Sequence, residues 1–115
     1  METNEIPPCF ERTALVAGSD MMALMAAARI TVFGVGGVGS WCVEALARSG
    51  IGNITIVDPD EVAMSNVNRQ LPALHSTVGR PKVEVVARRI ADINPAAKVT
   101  AIQGRYTPVS YTHLT

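Results

Sequence analysis

The sequence predicts an α/β domain built on a parallel sheet. Three observations carry that prediction. Short runs rich in β-branched and apolar residues occur at 30–33, 54–57 and 98–102. The intervals between them hold helical patterns instead of tight turns, so the strands must be joined by crossovers. A glycine-rich segment, 34–39, links the first strand to the helix after it. The order strand–helix–strand–helix–strand gives parallel strands with right-handed crossovers.

The elements follow in order along the chain. Residues 1–9 read as an N-terminal tail with Pro7-Pro8 as a breaker. Residues 10–17 form a short helix ending at Gly18. Ser19 caps a second helix, 20–28, whose Met21, Met22, Leu24 and Met25 offer an apolar face for core or dimer packing. Residues 30–33 read as a buried strand. In the next helix Val38, Trp41, Cys42, Ala45 and Leu46 fall at i, i+3, i+4, i+7 and i+8, which predicts that this face, Cys42 included, packs inward. Gly50 and Gly52 end the helix. The second strand, 54–57, closes at Asp58, and a polar loop runs to about Thr77. Pro81 suits the first position of a third helix lined by Val83, Val86, Ala87, Ile90 and Ile93. Asn94-Pro95 stops it, and 98–102 is the third strand. The expected architecture is a Rossmann-like three-layer fold, of which this chain supplies the N-terminal half of a doubly wound parallel sheet (βαβαβ) preceded by short helices.

Composition narrows the class. The 115 residues suffice for one small domain, and 48% hydrophobic against 17% charged residues exclude compositional disorder. Ten basic residues balance ten acidic ones, so net charge gives no nucleic-acid signature and leaves only a local basic patch open. The N-terminus lacks the apolar core of a secretory signal, and the longest apolar run, 21–28, is too short to span a bilayer. Cys9 and Cys42 form no CxxC pair, and no metal-ligand pattern is present. The expectation is a soluble cytoplasmic protein with reduced thiols and no membrane association.

The glycine-rich segment Gly34-Val35-Gly36-Gly37-Val38-Gly39 fits G-x-G-x-x-G between a strand and a helix. Glycines allow a tight turn and remove side chains that would hold a phosphate off the backbone. The helix start then offers unpaired N–H groups to an anion. Asp58, at the end of the second strand, stands where a carboxylate can accept ribose hydroxyls. The motif fits an NAD-binding dehydrogenase half-domain as well as an ATP site, although Asp58-Pro59-Asp60 disfavours the extra phosphate of NADP.

The stretch Ser65-Asn66-Val67-Asn68-Arg69-Gln70 and the later Thr77-Val78-Gly79-Arg80-Pro81-Lys82 separate the two. A triphosphate carries more charge than a dinucleotide and needs cations. Arg69 can chelate phosphate oxygens with its planar fork, Lys82 can place a point charge at a helix start, and Asn66 can donate amide hydrogens. On spacing alone, solvated surface charge explains Arg69 and Lys82 equally well.

Four segments in order, 33–40, 56–60, 65–70 and 78–84, resemble the HesA/MoeB/ThiF superfamily, the bacterial relatives of ubiquitin-activating enzymes. The resemblance covers 10–107. Segments 68–77, 44–50 and 92–95 most resemble its tRNA threonylcarbamoyladenosine dehydratase branch. That resemblance implies ATP-dependent cyclisation of threonylcarbamoyladenosine in tRNA through an acyl adenylate. It implies a nucleotide site of Gly34, Gly36, Gly37, Gly39, Asp58, Ser65, Asn66, Arg69 and Lys82, with Arg69 and Lys82 on phosphate. Arg12 matches an arginine that reaches the ATP of the other subunit, which implies a homodimer. Cys9 stands where family members often carry Arg. His75, in the linking loop, reads as structural or exposed.

Relatives are longer. They carry an acidic segment that holds Mg²⁺ and a cysteine tied to catalysis, so the main metal ligand is expected beyond residue 115 and the fragment alone is expected to be inactive. Residues 108–115, with His113, read as an atypical tail and not a native continuation. Neither Cys9 nor Cys42 has a recognisable electropositive setting, and neither is assigned as nucleophile. A sulfur-carrier or ubiquitin-like-protein adenylyltransferase of the same superfamily, with a sulfur-transfer partner, is the nearest alternative, followed by the dehydrogenase half-domain and a non-catalytic dimerising remnant.

Overall fold

The computed structural model describes residues 6–105; the tail expected at 108–115, with His113, lies outside them. A 3-10 turn, Pro8–Phe10, leads into α1 (Glu11–Ala17) and α2 (Ser19–Ala27). Then come β1 (Arg29–Phe33), α3 (Gly37–Ser49), β2 (Asn53–Val57), a 3-10 turn Met64–Asn66, α4 (Lys82–Ile93) and β3 (Lys98–Ile102). The sheet is parallel in the order β1-β2-β3, with Ile30 beside Ile54 and Ile54 beside Val99.

Strand alternation sends Ile30, Val32, Ile54, Ile56 and Val99 to one face, where they meet Val43 and Ala47 of α3 and Val83, Val86 and Ile90 of α4. Right-handed crossovers that step in one direction along a sheet put both helices on the same side. The opposite face exposes Arg29, Thr31, Phe33 and Thr100, and no described helix covers it. Of the three layers expected, the described residues supply two.

This layering corrects the reading of the first strand. No residue of β1 is fully buried, because it is an edge strand with one open face. In the central strand β2, Ile54, Ile56 and Val57 are buried.

The packed face of α3 also differs from the expected one. The buried line is Ser40, Val43 and Ala47, with Leu46 partly buried beside it. Val38 is 88% exposed and Trp41 57%, and Cys42 and Ala45 are exposed too. The helix is turned by a backbone approach that periodicity cannot register. A Cβ on Gly39 would lie 1.7 Å from the Gly34 carbonyl oxygen, so α3 starts in direct contact with the end of β1. That contact forces Gly39 and Ser40 inward and the greasier side outward.

At the N-terminus, Ser19 is the first residue of α2 and makes no capping bond; Gly18 holds the cap position. Met22 is buried against Phe10 and Gly50, and Met25 reaches the core, while Met21 and Leu24 are exposed. Pro81 precedes α4 instead of starting it, and its carbonyl accepts Glu84 N–H (3.1 Å) and Val85 N–H (3.2 Å). The expected inner face of α4 is the observed one, and Asn94 ends the helix as expected.

Glu44 ties the two helices together. Its carboxylate accepts Arg89 Nε (2.6 Å) and Arg89 Nη2 (3.0 Å), and Arg48 Nε at 2.7 Å, with the side chain 11% exposed. The Arg89 hydrogen bonds hold the Glu44 carboxyl below the ordinary glutamate range. A depressed folded pKa means stability present above the unfolded value, about 4.3, and lost as the pH falls through the lower folded value.

Two predictions follow from this packing. Gly39→Ala should lose at least about 3 kcal/mol of stability, since the clash is with backbone that cannot step aside. Gly37→Ala, with nothing within 4 Å of the added Cβ, should be neutral or gain up to about 1 kcal/mol. Urea denaturation of both variants checks this, and equal losses would show that the Gly34–Gly39 contact is not what sets α3. Glu44→Gln should cost about 1–2 kcal/mol at pH 7, and the difference from wild type should shrink as the pH is lowered toward 3. A pH-independent loss would contradict an ionic role for Glu44.

Candidate nucleotide site

The candidate residues gather at the C-terminal ends of β1 and β2. Gly34 leaves β1 with φ +90° and its N–H donates to the Val57 carbonyl at 2.7 Å. The next amide, Val35 N–H, donates to Asp58 Oδ2 at 2.9 Å. Asp58 Oδ1 accepts Asp60 N–H at 2.8 Å, and Asp58 N–H donates to the Ile102 carbonyl at 3.1 Å. Asp58 is 5% exposed and binds the loops after all three strands into one edge. Each carboxylate oxygen keeps acceptor capacity beyond its amide bond, so a ribose hydroxyl can add without displacing the staple.

The first intrahelical bond of α3 is Ser40 N–H to the Gly36 carbonyl, 3.1 Å. The amides of Gly37, Val38 and Gly39 therefore lie in the first turn, where an α-helix leaves its donors unpaired. The space over Gly37 is open to 4 Å. Donors, partial positive charge and absent side chains coincide at one point, the requirement for holding a phosphate against the chain.

The loop at 65–71 is laid over this turn. Leu71 N–H donates to Ser40 Oγ (3.3 Å), whose hydroxyl donates to the Gly36 carbonyl. Trp41 Nε1 donates to the Arg69 carbonyl at 3.4 Å, and the Gln70 amide rests on Gly36 with Oε1 buried and unbonded. Asn66 Oδ1 caps its own turn by accepting Ala63 N–H at 2.9 Å, which leaves its Nδ2 as the free donor. Arg69 folds back on the loop, donating through Nη1 to the Ser65 carbonyl (3.1 Å) and Asn68 Oδ1 (2.9 Å). Ser65 is exposed.

Lys82 begins α4 with its side chain 7% exposed and Nζ 4.0 Å from Asp60 Oδ2. The structure thus brings Gly34, Gly36, Gly37, Gly39, Asp58, Asn66 and Lys82 to one edge of the sheet, with Ser65 and Arg69 on the loop above. Arg12 lies elsewhere. It is exposed on α1, directly after Phe10, which packs at Gly50 past the C-terminal end of α3. The 13 residues of α3 span about 20 Å, so Arg12 sits at the far end of that helix from the glycine turn.

Ser40 and Gln70 were given no role of their own from sequence, Trp41 was read as packing, and Asp60 was read only as disfavouring NADP. Ser40, Asp60 and Gln70 lie within the recognised segments 33–40, 56–60 and 65–70, and that membership was the available signal. One cysteine expectation needs correction. Cys42 points outward from α3 and is no packing residue. Cys9 is exposed and lines a cavity of about 360 Å³ with Phe10, Arg48, Arg89, Asp92 and Ile93, where both arginines pair with Glu44. His75 is exposed, as read. Among the described residues no group of three or more His, Cys, Asp or Glu is placed to hold a metal, and no helix is long and apolar enough to cross a membrane.

Comparison with known proteins identifies the family. The ThiF family profile matches residues 10–115. The tRNA threonylcarbamoyladenosine dehydratase of Bacillus subtilis is 51% identical over 102 residues, covering 89% of this chain and 40% of the relative. That of Escherichia coli is 50% identical, covering 86% and 37%. The molybdopterin-synthase adenylyltransferase of Salmonella typhimurium is 39% identical, covering 76% and 35%. The crystal structure of the E. coli dehydratase in complex with ATP superposes with a TM-score of 0.87 at 47% identity, over 92% of this chain and 45% of that one. The chain spans about 40% of the length of the curated dehydratases it matches. Its parallel βαβαβ sheet, its glycine turn stapled to Asp58 and this match over nearly its whole length place the chain in the ThiF family.

Proposed function

We propose that this chain is the nucleotide-holding part of an ATP-dependent tRNA threonylcarbamoyladenosine dehydratase. The observation that carries the choice is the identity of about half its residues to two such enzymes, against 39% to a molybdopterin-synthase adenylyltransferase.

In this reading the first-turn amides of α3 take phosphate, Asp58 takes a ribose hydroxyl, and Asn66 Nδ2, Arg69 and Lys82 take the remaining phosphate charge. The threonylcarbamoyl carboxylate attacks the α-phosphorus of ATP and pyrophosphate leaves. The ureido group of the same threonylcarbamoyl moiety then attacks the activated carbonyl, giving up a proton as the acyl–AMP bond breaks and AMP leaves, so the nucleoside closes its ring with a net loss of water while ATP becomes AMP and pyrophosphate. The chain's own contribution is charge neutralisation and alignment of the triphosphate. Mg²⁺ would accompany ATP, but the described residues do not by themselves build a site for it. The enzyme would act in the cytoplasm on tRNA.

Arg12 belongs to a homodimer in this reading. Placed at the far end of α3 from its own glycine turn, it is suited to a neighbouring copy's site. Adenylylation of a sulfur-carrier protein, with sulfur-transfer partners, is the second reading and rests on relatives such as the E. coli sulfur carrier protein ThiS adenylyltransferase at 34% identity.

The full-length protein should catalyse ATP–pyrophosphate exchange with tRNA bearing threonylcarbamoyladenosine and not with a ubiquitin-like sulfur carrier. Exchange with the carrier alone would favour the second reading. Arg12→Ala and Lys82→Ala should each be inactive. Mixed and reassociated, they should recover about a quarter of wild-type activity, since half the dimers then hold one intact site of two. Full activity of Arg12→Ala alone would remove Arg12 from the site, and no recovery on mixing would remove it from the partner's site.

A further inference from the structure

Asp60 has no role in the scheme above, yet it is wired to both sides of the site. Its N–H donates to Asp58, the carboxylate proposed for ribose (2.8 Å). Its carbonyl accepts the backbone N–H of Lys82 at 3.0 Å, and its carboxylate is the one paired with the Lys82 ammonium among the described residues. This juxtaposition is built by the chain. Residues 60–62 run antiparallel to 79–82, through a bridge between Glu61 and Pro81, Val62 N–H to the Arg80 carbonyl (2.9 Å) and Gly79 N–H to the Val62 carbonyl (2.8 Å). The clamp fixes the Asp60 and Lys82 backbones side by side.

The pair is asymmetric. The Lys82 side chain is 7% exposed and the Asp60 side chain 60%. An ammonium so enclosed calls for a counter-charge close by. At 4.0 Å the carboxylate supplies that charge but stands beyond hydrogen-bond range, about 2.7–3.2 Å, so the ammonium's donors stay uncommitted. The lysine is held by the core, while the aspartate can swing into water. A phosphate arriving beside them brings more negative charge and better acceptors than one half-solvated carboxylate.

We propose that Asp60 is a positioning residue for Lys82: its carboxylate holds the buried ammonium at the site and is displaced from it when phosphate binds. This rests on the reading of 34–39 and Lys82 as a nucleotide site. The aspartate competes with the ligand it prepares for, so it weakens triphosphate binding while keeping Lys82 aimed. It acts on phosphate affinity and leaves nucleoside affinity alone.

The sign of the effect provides the test, because damage to the fold does not tighten binding. In the full-length protein, Asp60→Asn should tighten ATP binding roughly three- to ten-fold, the scale of losing one partly exposed ion-pair competitor. Adenosine affinity should stay within about twofold, and Asp60→Glu should return ATP affinity to that of wild type. In a Lys82→Ala background the gain from Asp60→Asn should fall below about twofold. Asp60→Ser is measured alongside, so that a folding defect peculiar to one variant does not decide the result. Weaker ATP binding by both neutral variants would overturn the proposal, and a loss seen only with Mg²⁺ would make Asp60 a metal ligand instead. A gain undiminished in Lys82→Ala would mean that Asp60 merely repels phosphate, and would equally overturn it. If the wild-type protein binds no ATP, the nucleotide site itself falls; if it binds ATP and no gain appears, only the role of Asp60 does.

Discussion

The structure depends on one buried carboxylate. Asp58 accepts the Val35 and Asp60 amides through its two oxygens, and its own backbone N–H reaches the end of β3. A carboxylate buried this far from water is stable only because those donors replace its hydration. The same bonds fix what surrounds them. Val35 is pinned, so Gly34 must turn with positive φ, and the helix that follows must start within touching distance of β1. Asp60 is pinned, so the 60–62 and 79–82 segments pair and Lys82 enters the edge of the sheet. The residues that would hold a nucleotide are thereby placed by the interaction that closes the sheet, and stability and preorganisation share a cause.

Apolar surface is exposed on two sides of the candidate site. The outward face of α3 carries Val38 and Trp41 beside the 65–71 loop, and the sheet face opposite α3 and α4 shows Phe33 among threonines. Contiguous exposed apolar patches mark contact surfaces, while apolar residues scattered singly are ordinary. The chain covers about 40% of the curated dehydratases it matches, and Arg12 stands far from its own glycine turn.

Much of this was legible in the sequence where backbone conformation follows directly from residue type. The three strands, the glycine turn, the stop at Asn94 and the inner face of α4 appear as read, since strand propensity, glycine and a single apolar stripe specify them. The edge residues Gly37, Asp58, Asn66 and Lys82 were legible as a motif, and the fold brings them together. The orientation of α3 was not legible. Its outward face has the stronger helical periodicity, and the deciding contact is between the Gly39 backbone and the Gly34 carbonyl, which no hydropathy pattern encodes. The exposure of β1 was hidden for a related reason: Ile30 and Val32 read as a buried strand, but burial on a second face depends on a layer the local sequence does not specify. The pairings of Asp60 and Ser40 were not legible because they join segments far apart in the chain.

The central claim is that this glycine turn, with Lys82 beside it, is built for a triphosphate and not for a dinucleotide. Calorimetric titration of the full-length protein with ATP and with NAD⁺, both in the presence of Mg²⁺, tests it most directly. The account predicts tighter binding of ATP, and tighter binding of NAD⁺ would contradict it.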